Sequence, residues 1–161
     1  MPNHCENNLY ITGPKPELQK FYNGIKEHDD ELSILKTYFP CPDELKEAVA
    51  NFEKNPEMIS KYGYSSWYDW CNDNWGTKWG DYDLDINLYG NCIDGFFLSA
   101  WSPPINGFVN VSKQFPNLRF EISYSEPGME FAGEAAMKNG KLLYNDEHEY
   151  VPEKEYEDCE D

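Results

Sequence analysis

Residues 81–88, Asp-Tyr-Asp-Leu-Asp-Ile-Asn-Leu, alternate without a break between short polar side chains and large apolar ones. A period of two marks a β-strand with one face buried and the other in water. The spacing predicts Tyr82, Leu84, Ile86 and Leu88 on one side and Asp81, Asp83, Asp85 and Asn87 on the other. A sheet with one wet face is the usual habit of antiparallel strands. Residues 118–125 repeat the pattern, with Leu118, Phe120, Ile122 and Tyr124 alternating with Arg119, Glu121 and Ser123. Residues 95–101 read as the hairpin partner of the first segment across the turn-rich stretch 89–94, and Pro103-Pro104 stops that strand. Near the start, residues 7–12 form a short strand closed by Gly13-Pro14. Near the end, residues 128–138 and 141–144 form a hairpin on Asn139-Gly140, the sequence favoured in two-residue type I′ turns.

Helical spacing fills the gaps. Leu18, Phe21, Tyr22 and Ile25 recur every three or four positions after Pro16, which predicts an amphipathic helix running to about Glu27. Residues 32–39 are mixed, Pro40-Cys41-Pro42 breaks the chain, and Asp43 suits the N-cap of a further helix carried by 46–52 and ended by Pro56. Ser65 or Ser66 can cap a helix that sets Trp67, Trp70 and Cys71 on one side, with Gly76 at its C-terminus. Ile105, Phe108, Val109 and Phe115 predict another helix before the strand at 118–125. The resulting order is strand, helix, α-rich insert, strand, strand, helix, strand and a closing hairpin. That is the split β-α-β pattern of a ferredoxin-like α+β fold, an antiparallel sheet with helices on one face.

Composition narrows the function. A length of 161 residues suits one domain, and 16% aromatic residues rule out a wholly disordered acidic chain. Thirty Asp and Glu against 13 Lys and Arg give a formal charge of -17, which repels phosphate backbones and anionic lipid. Direct nucleic-acid or membrane-surface binding is therefore not expected. The charge is uneven: residues 146–161 hold nine acids and one lysine, a net of -8, and residues 1–145 carry the other -9. The expected organisation is a single domain over 1–145 with an acidic, solvated tail over 146–161. Five cysteines without a C-x-x-C pair, and no apolar leader at the N-terminus, predict a reduced, cytoplasmic chain with structural thiols at Cys5, Cys71 and Cys92. No metal or cofactor is expected, because His4-Cys5 has no second ligand pair.

Three separated motifs carry a family likeness. Residues 1–7 (Met-Pro-Asn-His-Cys-Glu-Asn), 74–79 (Asn-Trp-Gly-Thr-Lys-Trp), and 100–104 (Ala-Trp-Ser-Pro-Pro) followed by 124–128 (Tyr-Ser-Glu-Pro-Gly) resemble the YubB/Api92-like family of bacteriophage and conjugative-plasmid proteins. His4 stands where members of that family commonly have Trp, and the acidic tail lies outside the likeness. The resemblance implies a ferredoxin-like fold and carriage on mobile elements, where accessory proteins often act against host defence.

Four of the five tryptophans fall within residues 67–79. Their indoles offer stacking surfaces, and Thr77 and Lys78 add a hydroxyl and a cation. The candidate binding residues are Trp70, Asn74, Trp75, Thr77, Lys78, Trp79, Trp101 and Ser102, with Asp81, Asp83 and Asp85 as a candidate acidic surface. Three readings follow. In the first, a non-enzymatic accessory protein inhibits a host bacterial protein, a defence component, through the tryptophan-rich surface and its charge, with acidic DNA mimicry as a special case. In the second, the chain is a sponge for a nucleotide-like ligand stacked on Trp75, Trp79 or Trp101, with Lys78 meeting its charge. In the third, a hydrolase uses the row Asp81, Asp83 and Asp85. No nucleophile elbow, P-loop, dinucleotide fingerprint or metalloprotease motif anchors catalysis, which favours the binding readings.

Overall fold

A computed structural model describes residues 3–47 and 56–150. The elements in order are β1 (His4–Thr12), α1 (Lys15–Gly24), β2 (Lys26–His28), β3 (Glu31–Ser33), α2 (Ile34–Tyr38), α3 (Asp43–Glu47), α4 (Pro56–Tyr62), α5 (Trp67–Asn74), β4 (Tyr82–Tyr89), β5 (Cys92–Ala100), α6 (Ile105–Gln114), β6 (Arg119–Glu126), β7 (Phe131–Lys138) and β8 (Lys141–Glu149). Six strands form one antiparallel sheet in the order β4-β5-β1-β6-β7-β8, and β2 and β3 pair separately. The arrangement β1-α1-β4-β5-α6-β6 with β1 and β5 at its centre is the ferredoxin-like α+β fold, extended at one edge by the β7–β8 hairpin.

Both long helices cover the same face of the sheet. Phe21 of α1 meets Phe120 of β6 edge-on, and Phe108 of α6 stacks on Phe97 of β5 with ring centroids 5.5 Å apart. Along β1 the alternation is complete: Cys5, Asn7, Leu9 and Ile11 are buried, while His4, Glu6, Asn8 and Tyr10 lie on the open side. Burying a dozen large apolar side chains this way, at roughly 1.5–3 kcal/mol each, supplies the main drive for folding.

Several boundaries depart from expectation, each for a local reason. Helix α1 ends at Gly24, not near Glu27, because Tyr38 packs over Gly24 and its hydroxyl donates to the Phe21 carbonyl at 2.7 Å. Asp43 is the first residue inside α3, whose first turn closes on the Pro42 carbonyl, and most of the helix expected at 46–52 lies outside the described residues. Pro56 opens α4, a first-turn position where a missing N–H costs nothing. Strand β8 runs through Glu149, so residues 146–149 of the expected tail pair with β7, and residues 151–161 lie outside the described part. Its side chains are exposed throughout, which lets an acidic sequence form an edge strand on backbone pairing.

The largest correction falls on β4. Tyr82 pairs with Leu98 and Asp85 with Phe96, so β4 holds one residue more than its partner over this interval. Asp83 occupies the left-handed region at φ 54° and absorbs the bulge. The extra residue brings Tyr82 to the open face, where it hydrogen-bonds His4, and sends Asp81 inward. The three aspartates therefore do not share one face.

Candidate functional site

The end of α5 and a set of hydrogen bonds hold the stretch from Trp75 to Asp81. Helix α5 starts at Ser66, whose Oγ accepts from the Asp69 N–H, and ends where the Gly76 N–H reaches the Cys71 carbonyl. Gly76 then turns at φ 92°, which a side chain would strain. The Thr77 hydroxyl is buried and bridges the Ala100 and Trp79 carbonyls at 2.6 and 3.0 Å. Ser102 Oγ donates to the Gly76 carbonyl at 2.7 Å, and the Gly107 N–H donates to the Trp75 carbonyl. The loop is thus fastened to the end of β5 and the start of α6.

Trp75 and Trp79 take opposite positions in it. Trp75 is only 4% exposed, donates Nε1 to the Phe39 carbonyl at 2.8 Å and meets Trp70 edge-on. Trp79 is 44% exposed, with the Lys78 ammonium 4.7 Å above its ring. Between them opens a cavity of about 550 Å³, lined by Trp67, Trp75, Trp79, Tyr82, Lys36, Lys46, Lys78, Cys41, Cys71 and Asp81, with Asp29, Glu31 and Leu32 contributed by the β2–β3 hairpin. The volume lies within the range of small-molecule sites. The stretch divides its two tryptophans: Trp75 fills core and forms a wall, and Trp79 stands at the opening.

Asp81 is the buried acid of this cavity. Its carboxylate accepts from the Ser33 hydroxyl at 2.7 Å and from the Ile34 and Leu35 N–H groups at 2.5 and 3.3 Å, tying β4 to the start of α2. Burial outweighs these hydrogen bonds and raises its pKa to about 6. The Cys41 thiol donates to the Pro42 carbonyl at 3.7 Å; its pKa is lowered chiefly by its interaction with Cys71, whose own thiol is pushed up by that interaction and by burial.

Of the residues singled out from the sequence, Trp75, Lys78, Trp79 and Asp81 line the cavity. Trp70 is core, Asn74 donates to the Trp70 carbonyl within α5, and Thr77 and Ser102 fix the loop. Trp101 is exposed at φ 70° and its backbone N–H pairs with the Asn3 carbonyl; it does not line the cavity. Asp83 and Asp85 are exposed and away from it. Sequence reasoning missed Lys36, Lys46 and Tyr82. The two lysines lie 32 to 42 positions before Lys78 and only tertiary packing unites them, and the bulge that turns Tyr82 has no glycine to announce it.

Fold and cavity together define a ferredoxin-like α+β protein with a tryptophan- and lysine-lined recess beside its insert. The sequence profile of the ferredoxin-like domain of Api92-like proteins matches residues 74–161, so the chain belongs to the Api92-like family. The match runs to the last residue, so the acidic C-terminal segment lies within the family region and not outside it. The crystal structure of the protein api92 from Yersinia pseudotuberculosis superimposes with a TM-score of 0.59 at 11% identity, covering 94% of this chain and 100% of that one. At that identity the likeness concerns fold alone. No curated protein matches the chain. Among the described residues no helix is long and apolar enough to cross a membrane.

Proposed function

We propose that the protein is a non-enzymatic binding protein whose cavity takes a planar, anionic small molecule of the nucleotide class. The observation that supports this is the convergence of Lys36, Lys46 and Lys78 on a recess walled by Trp67, Trp75 and Trp79. In a chain with 13 basic residues against 30 acidic ones, three lysines around one opening are a local departure from the whole. Indole faces suit a base, ammonium groups suit a phosphate, and Asp29 and Glu31 at the edge can accept from amino or hydroxyl groups. The hydrolase reading loses support, because the β4 bulge separates Asp81 from Asp83 and Asp85.

Titration of tryptophan emission with a panel of mononucleotides, cyclic nucleotides and dinucleotides tests the reading. Binding is expected to change the emission, Lys78→Ala and Trp79→Ala are expected to weaken it at least tenfold, and Trp101→Ala is expected to leave it intact. An emission spectrum unmoved by every compound would end this proposal.

A second reading keeps the inhibitory role toward a host macromolecule, in the setting of a mobile element in the bacterial cytoplasm. The observation favouring it is the open face of the sheet, where Glu6, Asp85, Asp94, Glu121, Glu134 and Asp146 place one carboxylate on each of the six strands. Such a face suits a basic protein surface. Charge reversal of Glu6, Asp94 and Glu121 to Lys should abolish capture of a basic host protein while leaving nucleotide binding unchanged. If capture persists, this face is not the contact.

A further inference from the structure

Strand β8 ends the sheet on one side, and all nine of its side chains are exposed. Its outer side presents a row of N–H and C=O groups that no described strand takes up, open to any strand that can match it. The other edge is guarded, because β4 carries the bulge at Asp83 and is tied to the start of α2 through Asp81. Along β8 the side chains are sorted by charge. In register with Lys138, Ala136, Glu134 and Ala132 of β7, its open face reads Lys141, Tyr144, Asp146 and His148. Its other face, in register with Met137, Ala135, Gly133 and Phe131, reads Leu142, Asn145, Glu147 and Glu149, with Leu143 as the extra residue of a bulge. Both faces are basic or apolar toward the Asn139-Gly140 turn and acidic toward the far end. The turn end also gathers cations in an acidic chain: Arg119, Lys138 and Lys141 stand opposite one another on β6, β7 and β8, and Lys113 lies over Gly140. Like charges set across neighbouring strands are destabilising. Among the described residues only Arg119 of these four has a carboxylate in ion-pair range, Glu121 at 3.7 Å.

We propose that two copies of the chain pair edge to edge through β8, antiparallel about a two-fold axis at Asn145. With the bulge kept, this register sets Tyr144 opposite Asp146 of the second copy, Leu142 opposite its Glu147 and Lys141 opposite its His148. Asp146 of the second copy then lies diagonal to Lys141, within reach of a long side chain. No carboxylate faces another carboxylate, and the cationic row of each copy runs onto the acidic half of the other. The same charges oppose the alternatives. Parallel pairing would set every acid beside its own copy, and moving the axis to Asp146 would set that residue against itself. The bulge at Leu143 interrupts the outer ladder, so charge selects the register more than backbone pairing does. Two-fold symmetry makes each contact twice. At physiological ionic strength charges are screened beyond about 8 Å, so the repulsion between two chains of net charge -17 is damped while contacts at the edge persist. The pairing stands independently of what the cavity binds.

Sedimentation equilibrium of the full chain at neutral pH and physiological salt tests the pairing, and a monomer–dimer equilibrium is expected. Lys141→Glu and Asp146→Lys should each weaken the dimer about tenfold, since every lost contact is lost twice, and the two combined should restore it. The register is read separately with Asn145→Cys in a chain carrying Cys92→Ser and Cys159→Ser. Residues facing each other across paired strands lie at disulfide spacing, so mild oxidation should give a covalent dimer, whereas Asp94→Cys in the same background should give none. Circular dichroism confirms that each variant is folded. A parent chain that stays monomeric at every soluble concentration overturns the proposal. So does a dimer that ignores both charge changes or forms no cross-link at position 145, because another surface would then hold it.

Discussion

Asp81 shows how one buried side chain sets a pH dependence. Its carboxylate belongs to the start of α2 and to the cavity wall, and burial lifts its pKa from an ordinary 3.8 to about 6. Between those values the folded chain holds a proton that the unfolded chain has released, so this group's contribution to stability is full below about pH 3.8 and is lost as the pH rises through about 6. Asp81→Asn removes the titration, keeping one acceptor oxygen and losing the other to an NH2 group. Its stability relative to the parent should therefore climb between about pH 4 and pH 6 in urea denaturation and level off above that, and a difference that stays flat throughout would refute the assignment. The two tryptophans of the loop separate in the same measurement. Trp75→Ala removes a buried indole and orphans the Phe39 carbonyl, costing about 3–5 kcal/mol, whereas Trp79→Ala at a half-exposed position should stay within about 0.5 kcal/mol.

At the level of elements, the Thr77 hydroxyl is one of the groups that fasten the loop between α5 and β4. Thr77→Val preserves shape but leaves the Ala100 and Trp79 carbonyls without that donor, for an expected loss of about 1–3 kcal/mol by chemical denaturation. A loss below about 0.5 kcal/mol would mean that the loop is held by the other contacts alone. The β7–β8 hairpin offers a parallel case. Asn139 and Gly140 sit at φ 51° and 76°, the pair of left-handed conformations that the Asn-Gly sequence predicts. Strands, the α6 helix and this turn were legible in the sequence because each rests on a local period or a local backbone preference. The bulge at Asp83 was not, since an unbroken alternation gives no sign that one residue will leave the ladder. The cavity was half legible for a similar reason. Clustered tryptophans marked Trp75 and Trp79, but Lys36, Lys46 and Cys41 reach the cavity only because the insert folds back over the end of the sheet.

Across the whole molecule, a net charge of -17 on 161 residues stores repulsion that the fold must overcome. The acids on the open face stand on neighbouring strands, and the described ion pairs are few and solvent-exposed, worth little in offsetting it. Salt shortens the reach of that repulsion from about 30 Å at 0.01 M to about 8 Å at physiological ionic strength. Unfolding spreads the charges apart, so screening favours the compact state. The thermal midpoint should rise by several degrees between about 0.01 M and 0.15 M sodium chloride, measured by scanning calorimetry. The opposite sign is expected for binding in the cavity, where added salt weakens the attraction between Lys36, Lys46 or Lys78 and an anionic ligand. Stability and affinity should therefore move in opposite directions along one salt series. A protein that gained affinity with salt would be using the apolar walls of the recess and not its lysines, and Lys78→Ala would then bind as tightly as the parent.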